Sequence, residues 1–184
     1  MHGGRRGIPW RILGWSGVAF LLLLPLVAGA PWTMSDYVIA GLVLGGAGLL
    51  LELVVRVSDN NAHRAGAAVA IAATVLLFWV NGAVGFLGDE DNPANLMFAG
   101  VIAIAAVGSV LSGFRPVGMA RTMFATAAAQ GLVGAVALAA GLGSPGYDGL
   151  YEVVMGTGVF GGLWLVAGAL FRRAAGKPTA AAAS

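Results

Sequence analysis

The sequence predicts an all-α fold, a polytopic membrane bundle of six transmembrane helices, and two observations carry this prediction. Hydrophobic residues make up 59% of the 184 residues and charged residues only 10%, whereas soluble domains contain about 25% charged residues. The apolar residues also fall into six runs, each close to the roughly 20 residues that a helix needs to cross a hydrocarbon core of about 30 Å. Lipid is therefore the expected solvent for most of the chain.

Turn-forming residues separate the six runs. The breaks contain Pro, Gly, Asn and Asp, which favour turns because proline fixes φ and glycine tolerates positive φ. We expect a cytoplasmic N-terminal tail over 1–9, a single six-helix transmembrane domain over 10–171 and a disordered cytoplasmic C-terminal tail over 172–184. The predicted spans are 10–30, 36–57, 64–87, 94–114, 118–142 and 150–171.

The distribution of charge predicts the orientation of the spans. If there are six spans, all ten Lys and Arg residues fall on one side of the membrane and six of the eight acidic residues fall on the other. Cytoplasmic loops carry an excess of Lys and Arg, so both termini are predicted to be cytoplasmic. An odd error in the number of spans would scramble this pattern.

The first run also has features of a cleavable signal peptide. Arg5 and Arg6 precede an apolar stretch, and residues 28–30 read Ala-Gly-Ala, a small-residue pattern like that of a cleavage site. The apolar stretch is longer than the central region of most signal peptides, so a retained first span is preferred. Cleavage would leave five spans without inverting the others.

The second, fourth and sixth spans resemble one another. Each has Gly at its sixth residue (Gly41, Gly100 and Gly156), and each ends with Arg about fifteen residues later. One interpretation is a two-helix unit that is used three times. The alternative is that any Gly-rich membrane helix with a cytoplasmic Arg produces this pattern.

Four glycines form two pairs with i, i+4 spacing, Gly41 with Gly45 and Gly158 with Gly162. Such a pair leaves a flat strip on a helix, on which another helix backbone can lie closely. We interpret these glycines as helix-packing residues within the chain, with a dimer interface as the alternative.

Three polar side chains fall within the predicted spans. Glu52 lies four residues before Arg56 on the same helical face, so an ion pair is favoured over a proton relay. Asn81 and Gln130 need hydrogen-bond partners, because a buried unpaired amide costs about 1–3 kcal/mol. They are interpreted as contacts between helices, with the lining of a small polar cavity as the alternative.

The sequence assigns no catalytic, cofactor-binding or metal-binding residue, and no cofactor is expected. The chain has no Cys, which excludes thiolate nucleophiles and Cys-ligated metals. It has neither an HExxH motif nor a Ser/His/Asp set. The acidic loop at residues 89–92 lacks the spacing of an EF-hand, so a solvated turn is preferred to a cation site. His63 is expected at the surface. The basic residues form no stripe, so no nucleic acid is expected as a partner.

Two resemblances to known families emerge. The stretch WVNGAVGFLGDEDNPANLMFAG, followed by FRPVGMAR, resembles an uncharacterised family of small six-span bacterial inner-membrane proteins, which implies location in a bacterial inner membrane. Pro25, followed by GLVLGGAGLLLELVVR, is similar in architecture to the two-helix repeats of HdeD-like proteins, a six-span family linked to acid resistance. Neither resemblance assigns a site residue.

The sequence favours a non-enzymatic integral membrane protein with a structural, accessory or envelope-stress role. The expected partners are membrane lipids, together with a larger membrane-protein complex or a second copy of the chain. The alternative is a transporter or channel for a small solute, which requires a polar lining near the middle of the membrane. The residues available for that lining are Thr74, Asn81, Thr126, Gln130 and Thr157.

Overall fold

All regular structure in the described part of the protein is helical. The structure is a computed structural model, and the description covers residues 10–83, 85–89 and 91–176, without the side chains of Trp10, Leu13 and Tyr147. The helices are α1 (Trp10–Val27), α2 (Met34–Val57), α3 (Asn61–Ala83), α4 (Leu96–Leu111), α5 (Pro116–Ala140) and α6 (Tyr147–Ala175), and a 3-10 turn at Pro93–Asn95 leads into α4.

Five of the described helices are long and apolar enough to cross a membrane. They are α2, α3, α5, α6 and α4 together with the 3-10 turn before it. The apolar part of α1, Gly14–Val27, is shorter and extends about 21 Å at 1.5 Å per residue. A membrane-type helical bundle is therefore confirmed, whereas the sixth span stays a prediction.

Three predicted helix ends were wrong because the chain enters the left-handed region early. The first span was predicted to reach residue 30, but α1 ends at Val27 and Gly29 has a φ of 67°. The third span was predicted to reach residue 87, but α3 ends at Ala83 and Gly85 has a φ of 76°. The fourth was predicted to reach residue 114, but α4 ends at Leu111, and Gly113 and Phe114 both have a φ of 57°. Left-handed residues at a helix end direct the last N–H groups back to free carbonyls.

The last helix continues beyond its predicted end. α6 reaches Ala175, so residues 172–175 are helical, although they were predicted to belong to a disordered tail. Arg172 and Arg173 lie in its last turn, where cations interact favourably with the helix dipole. The rest of the predicted tail, residues 177–184, lies outside the described residues, as does the tail over residues 1–9.

The chain divides into two compact units, Met1–Val57 and Ser58–Ser184, and each is described by itself. In the first unit, α1 and α2 form an antiparallel pair. The indole ring of Trp15 packs on Gly48, where an added Cβ would lie 3.5 Å from the ring. Thr33 precedes α2, and its backbone N–H donates to Oδ2 of Asp36 at 2.7 Å, which fixes the start of the helix.

In the second unit, α6 packs against both α3 and α5. Its buried hydrophobic residues form a stripe with one step of seven, from Val153 to Phe160, followed by steps of four, three, four and three, the spacing of a helix packed in a left-handed bundle. Phe171 of this stripe lies on Gly66 of α3, where an added Cβ would lie 3.2 Å from the ring. The central part of the stripe consists of Val153, Phe160, Trp164, Ala167, Phe171 and Ala174.

The two ends of the second unit carry opposite charge. Asn60, before α3, donates from Nδ2 to the carbonyl of Ala174 in α6 at 3.3 Å. Phe124, early in α5, packs on Gly168, late in α6, so the start of α3, the end of α6 and the α4–α5 turn lie at one end. This basic end contains Arg64, Arg115, Arg121, Arg172 and Arg173. The opposite, acidic end contains Asp89, Asp91, Asp148 and Glu152.

The closest helix contacts in the second unit are made at glycines outside the predicted pairs. A Cβ on Gly134 of α5 would overlap Thr157 of α6, and one on Gly108 of α4 would lie 2.5 Å from Cγ2 of Thr122. A Cβ on Gly168 would lie 2.8 Å from the ring of Phe124. Small residues allow such close approach between helices in lipid.

We predict that Gly134→Ala destabilises the protein by about 1–3 kcal/mol. The added Cβ would meet both γ atoms and the Cβ of Thr157, so rotation of the threonine side chain cannot relieve the overlap. The matched control is Gly131→Ala on the same helix, where an added Cβ meets no atom within 4 Å. This control should be neutral or stabilising by up to about 1 kcal/mol. Equal thermal unfolding midpoints for the two variants in the same detergent would contradict the contact.

Candidate functional site

The acidic end of the second unit is organised by the side chain of Asn95. Its Oδ1 accepts the backbone N–H groups of Phe86 at 3.1 Å and Leu87 at 2.8 Å. Its Nδ2 donates to the carbonyl of Asp89 at 2.7 Å. The backbone carbonyl of Asn95 accepts from Nδ2 of Asn81 at 3.2 Å. One buried amide therefore satisfies two N–H groups and one carbonyl of the α3–α4 loop.

Glu152 of α6 joins this loop to the α5–α6 turn. Its Oε1 accepts the backbone N–H groups of Gly88 at 2.9 Å and Ser144 at 2.7 Å, and its Oε2 accepts the Ser144 hydroxyl at 2.8 Å. Asn92 makes a parallel connection by donating from Nδ2 to the carbonyls of Leu87 and Leu142, each at 3.0 Å. We call Asn92, Asn95, Ser144 and Glu152 the loop cluster.

A cavity of about 520 Å³ opens at the loop cluster between the two loops. Asp89 and Asp91 line it and are exposed. Among the described residues, no group of three or more acidic, His or Cys side chains could hold a metal ion, and Glu90 lies outside them. The oxygen atoms that converge here, those of Glu152 and Asn95, are occupied by N–H and hydroxyl donors of the loops.

Polar atoms without a hydrogen-bond partner occur in the interior of the second unit. Gln130 is 0% exposed, and neither its Oε1 nor its Nε2 has a partner within the described protein. The same holds for the Thr157 hydroxyl, Nε1 of Trp164 and Oδ1 of Asn81. We call these four residues the interior polar set. A buried unpaired polar atom costs about 1–3 kcal/mol, and such atoms commonly mark water, an ion or a functional role.

Two contacts define the register between α5 and α6. Gly134 lies against Thr157, and Phe124 lies against Gly168. The first contact is later on α5 and earlier on α6 than the second, so the two helices are antiparallel.

This register places three members of the interior polar set at neighbouring levels. Gln130 lies one turn before Gly134 on α5. Because the helices are antiparallel, the level of Gln130 corresponds to Gly161 on α6, one turn after Thr157. Trp164 follows Gly161 by less than one turn. With about 1.5 Å of rise per residue, the three side chains start within roughly 11 Å along the helix axis.

The threonines predicted as lining differ in their hydrogen bonding. Thr74 donates to the carbonyl of Ala70, and the fully buried Thr126 donates to the carbonyl of Thr122, each at 2.9 Å. Both hydroxyls are satisfied within their own helices. Only Thr157 combines a buried hydroxyl with the lack of a partner in the described protein.

In the first unit, the predicted ion pair of Glu52 with Arg56 is present at 2.5 Å. Glu52 also pairs with Arg11 of α1 and accepts from Nε1 of Trp15 at 3.4 Å. The side chain of Glu52 is 8% exposed, whereas those of the two arginines are more than half exposed. The carboxylate therefore ties α1 to α2 and is already engaged by cations, which favours a structural role over proton transfer.

The predicted glycine pairs do not make the close contacts. A Cβ on Gly41, Gly45, Gly158 or Gly162 would meet no atom within 4 Å. Gly156 packs against Phe86, whereas the corresponding Gly41 and Gly100 have open space. The three glycines of the predicted repeat therefore have different environments, and both the repeat and the dimer interface stay predictions.

Sequence reasoning missed several residues that the structure makes important. His63 was expected at the surface but is buried, with its ring 5.1 Å from that of Phe171. Trp164, which the sequence did not single out, is fully buried. Glu152 and Asn95 organise the loops through contacts that depend on the tertiary fold. Near Asn95, the sequence offers Asn92-Pro93, a pair that favours a helix start but does not indicate what the Asn95 side chain contacts.

The comparisons with protein-family models, curated protein sequences and solved structures gave no match. The resemblances expected from the sequence therefore remain expectations.

We predict that Asn95→Ala destabilises the protein by about 1–3 kcal/mol for each backbone N–H that loses its acceptor. The residues concerned, Phe86 and Leu87, are at most 6% exposed, so bulk water should not replace the lost acceptor. Hydrogen exchange of both amides should accelerate in parallel. The control is Asn61→Ala, at an exposed position, which should change stability by less than about 0.5 kcal/mol. If Asn95→Ala were no more destabilising than this control, the role of the loop cluster would be refuted.

Proposed function

We propose that this chain is a non-enzymatic integral protein of a bacterial inner membrane with a structural or accessory role. The observation that carries the proposal is the neutral interior of the second unit, together with its close helix contacts. Where helices meet there, threonine and phenylalanine side chains occupy the space beside glycines. Among its described buried residues, the one titratable side chain is His63. Conduction of ions requires rings of charge or carbonyl oxygens along a path.

The proposed orientation has both termini and the basic end of the second unit in the cytoplasm. The support is the separation of Arg64, Arg115 and Arg172 from Asp89 and Glu152 at opposite ends of that unit, combined with the excess of basic residues in cytoplasmic loops. Six spans would place the N-terminal tail on the same side.

The proposed partners are membrane lipids and either a larger membrane complex or a second copy of the chain. The support is the open space beside Gly41 and Gly45 in α2, and beside Gly158 and Gly162 in α6. Such strips admit another helix backbone. An envelope-stress version of the role rests on the architectural similarity to HdeD-like proteins.

The alternative function is a transporter or channel for a small solute. The interior polar set favours it, because unpaired polar atoms buried in a membrane bundle are costly and often mark a solute pathway. A continuous route to both sides of the membrane would then have to open.

Single-Cys variants distinguish the two functions, since the chain has no native Cys. Cys would replace Asn81, Gln130 or Thr157, and water-soluble thiol reagents would be applied from each side of the membrane. The controls are Cys at Asp59 and Asp91, both exposed. We expect the controls to react and the three interior positions to stay unmodified. Rapid modification of the interior positions would overturn the accessory role in favour of transport.

A further inference from the structure

We propose that the interior of the second unit contains a binding site for a small neutral polar molecule, centred on the amide of Gln130 and completed by Thr157. The ligand has both a hydrogen-bond donor and an acceptor, as water and small amide or hydroxyl solutes do. The site is independent of the proposed accessory role, since a closed bundle and an open pathway could both contain it.

The buried amide of Gln130 needs a hydrogen-bonding partner. Its amide offers two donors and one acceptor group, it is 0% exposed, and both of its polar atoms lack partners within the described protein. An acid or a lysine can reduce the cost of burial by becoming neutral, but an amide is already neutral and cannot. A hydrogen-bonding molecule from outside the chain would satisfy it.

The register between α5 and α6 places two further unpaired groups at levels near Gln130. Thr157 lies one turn from the level of Gln130 on the facing helix, and its hydroxyl is also buried without a partner within the described protein. Trp164, less than one turn to the other side of that level, contributes a buried indole N–H in the same condition. Three unpaired groups at neighbouring levels of two packed helices indicate a shared ligand more readily than three separate defects.

There is space beside the helix backbone at this level. A Cβ on Gly161, the residue of α6 level with Gln130, would meet no atom within 4 Å. By contrast, Gly134, one turn away on α5, is closed by Thr157. The open position therefore lies at the axial level of the unpaired amide and one turn away from the close contact.

The composition of the interior selects a neutral ligand. Besides the interior polar set, the buried polar residues of the described second unit are His63, Asn95, Thr122 and Thr126. His63 lies near the basic end in the first turn of α3, and Asn95 is occupied by the loop. No charged side chain is buried beside the amide to balance an ion, and a buried ion without a counter-charge is strongly disfavoured.

The sequence allows a direct test, because Gln130 is the sole glutamine of the chain. Labelling glutamine with ¹⁵N at the side-chain amide gives one pair of amide proton signals. In lipid nanodiscs, magnetisation transfer from water to this pair reports whether water contacts Gln130. Titration with urea, acetamide and glycerol then reports whether a small neutral solute binds, through a saturable shift of the same signals.

Two threonine variants give matched readouts. In Thr157→Val, which keeps the side-chain shape but removes the hydroxyl, we expect the water transfer or the solute-induced shift to fall at least twofold. Thr74→Val removes a hydroxyl that already donates to the carbonyl of Ala70, so it should leave both signals unchanged.

Each outcome decides the proposal. A water signal without a saturable shift supports a site that holds water, and a saturable shift supports a site for a small solute. If magnetisation reached the Gln130 amide protons from lipid acyl chains and not from water, the amide would be dry and the site would be overturned. Equal effects of Thr157→Val and Thr74→Val would overturn the role of Thr157, and a saturable shift with sodium chloride would overturn the neutral ligand. Thiol modification tests a route to bulk water, so the two proposals can fail separately.

Discussion

The rest of the structure depends on one constraint, namely that polar groups inside a membrane need hydrogen-bond partners because lipid offers none. Helices satisfy their own backbone, so the difficulty arises where helices end. At the acidic end of the second unit, Asn95 accepts two loop N–H groups and Glu152 accepts two more from different loops. These side chains do for the loops what intrahelical hydrogen bonds do for the helices. The loop cluster is therefore part of the structural framework, even though its residues are polar.

Within the bundle, helices in lipid gain little from excluding water and are held by close packing. Glycine has two distinct uses here. Gly134 and Gly168 are filled by a side chain of the neighbouring helix, whereas Gly41 and Gly158 have open space beside them. The first use stabilises the fold, and the second leaves surfaces available for lipid or another helix. At the axial level of Gly161, which has open space beside it, the amide of Gln130 is buried without a partner in the described protein.

The sequence predicted the helical membrane fold well, because the length and polarity of an apolar run are local properties. The Glu52–Arg56 pair was predictable for the same reason, since both residues lie on one helix. The contact of Glu52 with Arg11 was not, because it depends on how α1 meets α2. Phe86 and Leu87 look like the end of a span, yet their N–H groups bond to Asn95 instead of to helix carbonyls. Helix register determines which glycines have a side chain of a neighbouring helix beside them, and it also determines that Trp164 is buried. A single sequence does not determine this register.

The number of spans is tested most directly by locating both termini in the membrane of intact cells. The apolar part of α1 is short, whereas five other described helices are long enough to cross, so the side on which the N-terminus lies decides between six crossings and five. Reporter tags at each end, one active only in the cytoplasm and one active only outside it, would give this answer. The account predicts that both ends carry cytoplasmic activity. An N-terminus outside the cytoplasm with the C-terminus inside, or loss of the N-terminal tag by cleavage, would contradict it.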